Sequence, residues 1–229
     1  MSQSAQLRET RKGTAINGTS KRQERELARA LEIVEQRLAV DFPDLRFVWS
    51  KQIFLKDIVA DLRKRFPDVE FFYNFDSSFM TPDGGILSIV GKDGAARPIL
   101  ISEAKNQGTN DARLAEGLCR QAQGNAIERL GKNVIGFRAS LLHEAIFPFV
   151  CFGYGCDFAE DSSILDRAVT VAMFGKLNKT HLYNEGPFNR GSFYFQRDKW
   201  GAEEMSAIMH DIAERSIQYY FSKYGKENF

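Results

Sequence analysis

The sequence predicts an α/β chain with a mixed sheet, α+β being the neighbouring alternative, and three observations carry that expectation. Short runs of β-favouring residues alternate with longer segments whose apolar residues recur at helical spacing. The turn "GKDGAA" at 91–96 returns one short run onto the next, which calls for antiparallel pairing. A chain of 229 residues, 43% hydrophobic, can cover such a sheet with a single core.

Taken in order, Ser20 and Gln23 have capping-box spacing, and Leu27, Leu31, Val34 and Leu38 then mark an amphipathic helix over 21–40, ahead of Pro43. Leu55, Ile58, Val59, Leu62 and Phe66 mark a second helix, ended by Pro67. Val69 to Phe75 is aromatic and β-favouring, and "GILSIV" at 85–90 and "RPILISEAK" at 97–105 form a hairpin around the turn. Leu114, Leu118, Ala122 and Ala126 predict a helix from about Asp111 to Arg129. "IFPFVCFGY" at 146–154 reads as a buried strand, and the region from Trp200 to Tyr224 as a closing helix through Met205, Ile208, Met209, Ile212 and Ile217.

No repeat, linker or second domain is visible, so residues 21–229 are expected to form one domain behind a basic arm at 1–20. Residues 1–25 hold six basic side chains against two acidic ones, suited either to a solvated tail or to a phosphate backbone. No apolar run matches a bilayer span and the N-terminus does not resemble a signal peptide, so a cytoplasmic protein without membrane contact is expected. Cys119, Cys151 and Cys156 make no C-x-x-C pair and the three histidines are scattered, which argues against a disulfide framework or a zinc site.

The chemistry concentrates in "TPDGGILSIVGKDGAARPILISEAK". A hairpin brings Asp83, before its first strand, beside Glu103, near the end of its second. Strand alternation puts Glu103 and Lys105 on one face, with Ala104 turned away. Asp83, Glu103 and the Ala104 carbonyl are hard oxygen donors of the kind Mg²⁺ takes, and Lys105 can orient an attacking water or offset charge on phosphorus. The same residues also permit a plain reading, a "PDGG" turn with an exposed ion pair worth roughly 0.2–1 kcal/mol. In "QGNAIERLGKN" at 123–133, Glu128 adjoins Arg129, and helix neighbours face apart. Asn125, Glu128 and Arg129 can read base edges and Ala122 or Ala126 can touch a thymine methyl; alternatively the stretch is a solvated helix end capped by Gly131.

The order "PDGG", "SEAK", "GNAIER" resembles the EcoRI-like type II restriction endonucleases of the PD-(D/E)XK superfamily. The first two motifs are widespread among nucleases, whereas "GNAIER" is specific to this group. The similarity extends from about Glu24 to Tyr219, with "FPDLRF", "DSSFMTPDGG" and "IMHDI" in the expected order. It implies a restriction-endonuclease-like core with a mixed sheet of about five strands between helices. It further implies that Asp83 and Glu103 bind Mg²⁺, that Lys105 assists the attacking water, and that Asn125, Ala126, Glu128 and Arg129 read an AATT core. A homodimer would then cut double-stranded DNA to 5′-phosphate ends in a bacterial or archaeal cell whose cognate methyltransferase protects the host DNA. Two departures bear on the outer base pair: Lys176 and Lys179 stand where relatives often carry arginines, and Gln121 and Gln123 where a better-known member has apolar residues. An inert DNA-binding protein would lack the Asp/Glu/Lys set, and a repair or structure-selective nuclease would need no base-reading motif.

Overall fold

The computed structural model describes the backbone of residues 15–106, 115, 117, 124–155, 179–180 and 192–229, and the side chains of all of these except 15–21, 106, 124–129, 179–180 and 192. Helix α1 (Ala15–Asp41) is followed by strands β1 (Phe47–Ser50) and β2 (Ile53–Phe54), helix α2 (Leu55–Arg65) and strand β3 (Phe79–Met80). Next come strands β4 (Ile86–Val90) and β5 (Ala96–Asn106), helix α3 (Gly124–Ser140), and strands β6 (Phe149–Tyr154), β7 (Lys179–Thr180) and β8 (Ser192–Gln196). Helix α4 (Ala202–Tyr224) and a 3-10 turn, Lys226–Asn228, close the chain.

The sheet runs β1–β4–β5–β6–β8–β7 among the described residues. The β1–β4–β5 half is antiparallel and the rest is parallel, so the sheet is mixed. Five strands have four residues or more, and the two-residue β7 adds an edge. All six residues of β6 are buried, as a parallel strand covered on both faces requires. On one face, Leu27, Ala30, Val34 and Leu38 of α1 meet Met205, Met209 and Ile212 of α4 and Leu87, Val150 and Phe152 of the sheet. On the other, Leu130, Val134 and Phe137 of α3, with Leu141 just beyond it, cover Ile101, Phe149, Cys151 and Phe193. These layers decide where β5 sends its charges: Ala104 packs on the α1 and α4 side, while Glu103 meets α3.

A buried carboxylate ties the α3–β6 connection to α4. Glu144 accepts hydrogen bonds from the Tyr219 hydroxyl at 2.7 Å, the Tyr224 hydroxyl at 2.7 Å and the Lys223 ammonium at 2.6 Å. Burial alone would raise its pKa. The bonds from His143, Lys223, Tyr224 and Tyr219 outweigh that and hold it down at about 2.

Several expectations change. Helix α1 begins at Ala15, inside the segment expected to be an arm, so the Ser20 and Gln23 spacing lies within a helix rather than at its start; residues 1–14 lie outside the described residues. Val69 to Phe75 forms no strand. Phe72 and Phe75 are exposed and the Arg63 guanidinium holds the Phe71 carbonyl at 2.8 Å, because β-propensity expresses fit to a half-buried pleated surface that this segment lacks. The helix expected to end at Arg129 instead runs from Gly124 through Gly131 to Ser140, so Gly131 is not its cap. The buried stripe Leu130, Val134, Phe137 and Leu141 offsets the roughly 1 kcal/mol that an interior glycine costs. Leu114, Leu118 and Ala122 lie outside the described residues. The strand expected over 146–154 begins at Phe149, after Pro148, whose carbonyl accepts from the Ile101 N–H at 2.7 Å.

Candidate active site

The turn that carries Asp83 is shaped by two glycines. Gly85 sits at φ +77°, a conformation that side chains disfavour, and its N–H bonds back to the Pro82 carbonyl at 3.1 Å. The Gly84 N–H bonds to the Ser102 carbonyl at 2.9 Å, and a Cβ on Gly84 would lie 2.0 Å from Ser102 Oγ. The turn therefore rests directly on β5, one residue before Glu103.

From that seat the two acids lock together. The Asp83 N–H donates to Glu103 Oε2 at 3.2 Å, and Asp83 Oδ2 accepts from the Ala104 N–H at 3.2 Å. Lys105 Nζ lies 3.2 Å from Asp83 Oδ2 and donates also to Glu103 Oε1. Asn133 of α3 completes the set, its Nδ2 donating to Glu103 Oε1 at 2.9 Å. The Glu103 side chain is 1% exposed and that of Asp83 38%, so one carboxylate is built in and the other opens outward.

Burial pushes the Glu103 carboxyl above its ordinary pKa; the Lys105 ammonium opposes this and the Asp83 charge adds to it. Burial would lower the Lys105 pKa, but attraction to Glu103 and Asp83 prevails and raises it, so the ammonium stays charged. Cys151, the β6 partner of Glu103, is free and fully buried, and burial pushes its thiol well up.

The two carboxylates converge on one ammonium. No group of three or more His, Cys, Asp or Glu residues suited to a metal occurs among the described residues, so a bound ion would draw on two acids and a carbonyl. Ser102 exchanges bonds through both its N–H and its C=O with the PDGG turn, and Ala104, two residues on, points its N–H to Asp83. A strand residue presents N–H and C=O to the same side, which turns the Ala104 carbonyl toward that turn as well. The set is all oxygen and anionic, and it fits a hard divalent cation.

The strand that ends in Glu103 and Lys105 faces a helix that opens with "GNAIER". Restriction endonuclease EcoRI is the family whose model matches residues 10–227. The chain belongs to that family. As a member it is a type II restriction endonuclease, a site-specific deoxyribonuclease. It is 28% identical over 218 residues to the type II restriction enzyme RsrI of Cereibacter sphaeroides, covering 80% of this chain and 79% of that one. It is 29% identical over 225 residues to the type II restriction enzyme EcoRI of Escherichia coli, covering 82% and 81%. For this EcoRI-family chain, Asp83, Glu103, Ala104 and Lys105 are brought together, while Asn125, Ala126, Glu128 and Arg129 share the first turns of α3, their backbone alone being described. Lys179 lies in β7, and Gln121, Ala122 and Lys176 lie outside the described residues. The sequence alone assigns Asn133 no role, since a helix closed at Gly131 would leave it in a loop. The continuing stripe from Leu130 to Leu141 was the available signal. No described helix is long and apolar enough to cross a membrane.

Proposed function

We propose that this endonuclease hydrolyses double-stranded DNA at a palindrome with an AATT core, using Mg²⁺ and leaving 5′-phosphate ends. The observation that supports it is the convergence of Asp83, Glu103 and Lys105 at one end of β5, beside the helix that opens with "GNAIER".

In this reading Asp83, Glu103 and the Ala104 carbonyl hold Mg²⁺. Bound there, the ion polarises the scissile phosphodiester and makes its water more acidic. Lys105 orients the attacking water and offsets charge that builds on phosphorus. Asn125 and Glu128 pair with adenine edges, Ala126 touches a thymine methyl and Arg129 supplies a fork of donors. A homodimer matches its two-fold axis to the palindrome and cuts one strand per subunit. Residues 21–229 form one domain, and the basic N-terminal segment follows the phosphate backbone. The enzyme works in the cytoplasm of a bacterial or archaeal cell, where a cognate methyltransferase protects the host site.

Lys176 and Lys179 cannot make the bidentate fork of an arginine, and Gln121 precedes the motif, so the outermost base pair is read only as purine against pyrimidine. A library of NAATTN duplexes digested in Mg²⁺, with end-mapping, tests both levels. Cleavage of every purine-AATT-pyrimidine member is expected. Strict cutting of GAATTC alone would overturn the relaxed outer pair, and cutting without an AATT core would overturn the site.

A further inference from the structure

We infer that Asn133 is a positioning residue that fixes the Glu103 carboxylate from the DNA-reading helix. The inference rests on the reading proposed above and names a residue that reading does not use.

Among the described residues three donors orient Glu103, and they come from different elements. Its Oε2 takes the Asp83 N–H, while its Oε1 takes Lys105 from its own strand and Asn133 from α3, thirty residues away in sequence. Only the Asn133 carboxamide is a side-chain donor without charge. It restrains the rotation of the carboxylate without changing the charge of a cation site, which suits a group that orients a ligand. The geometry of α3 is itself constrained. Leu130, Val134 and Phe137 are fully buried against the sheet, and a Cβ at Gly136 would lie 2.0 Å from Met80 Sδ. Met80 ends β3, three residues before Asp83. Helix α3 thus touches both arms of the acidic pair, holding one carboxylate through Asn133 and abutting the lead-in to the other through Gly136.

The same helix carries the candidate base readers. Asn125, Arg129 and Asn133 stand four residues apart, so they follow one stripe of the helix, and Asn125 and Asn133 are separated by about 12 Å of helix rise. A displacement of α3 when its first turns engage bases therefore reaches Glu103 through one hydrogen bond. Asn133 makes the disposition of the metal ligand depend on that of the reading helix.

The test uses the full-length chain and three measurements, with thermal melting as a control, on Asn133→Ala and on the near-isosteric, uncharged Asn133→Leu, which keeps the side-chain size and removes the donor. Single-turnover cleavage of an AATT-core duplex is followed over a Mg²⁺ titration, binding of the same duplex is measured in Ca²⁺, and Mn²⁺ binding is counted by electron paramagnetic resonance. For Asn133→Ala, the cleavage rate at fixed sub-saturating Mg²⁺ is expected to fall about 10- to 100-fold and Mn²⁺ binding to weaken, with duplex affinity in Ca²⁺ within about 2-fold of the parent. Asn133→Leu is expected to lose cleavage to a similar degree while melting within a few degrees of the parent. Unchanged cleavage and Mn²⁺ affinity in both variants would overturn the inference, as would a loss of rate matched by an equal loss of melting temperature and duplex binding. If the parent chain itself leaves AATT-core DNA uncut in Mg²⁺, the proposed function fails instead.

Discussion

The Asp83 N–H donates to the Glu103 carboxylate at 3.2 Å, so the backbone of one acid orients the side chain of the other. The arrangement depends on a turn with no room above it. Gly84→Ala is expected to displace Asp83, because its Cβ would lie 2.0 Å from Ser102 Oγ and 3.0 Å from Leu31 Cδ1. Cleavage should fall at least tenfold while the melting temperature changes by a few degrees. Ser102 is buried and its hydroxyl has no partner among the described residues, so adding Ser102→Ala should restore part of the rate. A double variant no better than Gly84→Ala would show that this contact is not the cause.

Removing the lysine tests the chemistry without removing a metal ligand. Lys105→Ala should lower single-turnover cleavage by on the order of 10²–10³ and leave sequence-specific binding in Ca²⁺ intact. Glu103→Ala should abolish cleavage. Cutting by Lys105→Ala at the parental rate would refute its role.

Arg129→Lys separates a planar fork from a charge. Specific binding should weaken by about 1–3 kcal/mol while association with unrelated DNA barely changes, since phosphates still meet a cation. Competition binding with specific and random duplexes measures the two terms, and equal losses would mean that Arg129 serves only as a charge.

Glu144 makes a prediction about acid. Its pKa is held at about 2, below the ordinary 4.5, so its ionised bonds stabilise the fold fully above the ordinary value, and that stability is lost as pH falls toward 2. Glu144→Gln should cost about 1–3 kcal/mol in urea unfolding at pH 7, and the difference between variant and parent should narrow as pH falls from 5 toward 3. A constant difference across that range would assign the loss to packing.

The hairpin and its charges were legible because they are local. A turn and strand alternation suffice to bring Asp83, Glu103 and Lys105 to one place, and the structure joins them by direct hydrogen bonds. The boundaries of α3 were not legible, because the local glycine signal at Gly131 is overruled by burial of Leu130 and Val134 against strands distant in sequence. The bond from Asn133 to Glu103 was hidden for the same reason: it exists only once a helix has been laid on a sheet. The aromatic run at 69–75 misled in the opposite sense, since β-favouring residues without a neighbouring edge remain a loop. The residue types of "GNAIER" permit base contacts or a solvated helix end alike, and the AATT core is legible only through the resemblance, since nothing in the spacing says which bases it would meet.

Cys151, directly opposite Glu103 on β6, offers something the charged residues do not. Its thiol is fully buried and burial keeps it protonated, so no alkylating reagent reaches it while β5 and β6 stay paired. In a chain with Cys119 and Cys156 replaced by serine, its labelling rate becomes a clock for how often the floor of the site opens. Slower labelling on adding cognate duplex would show that substrate and scaffold close together.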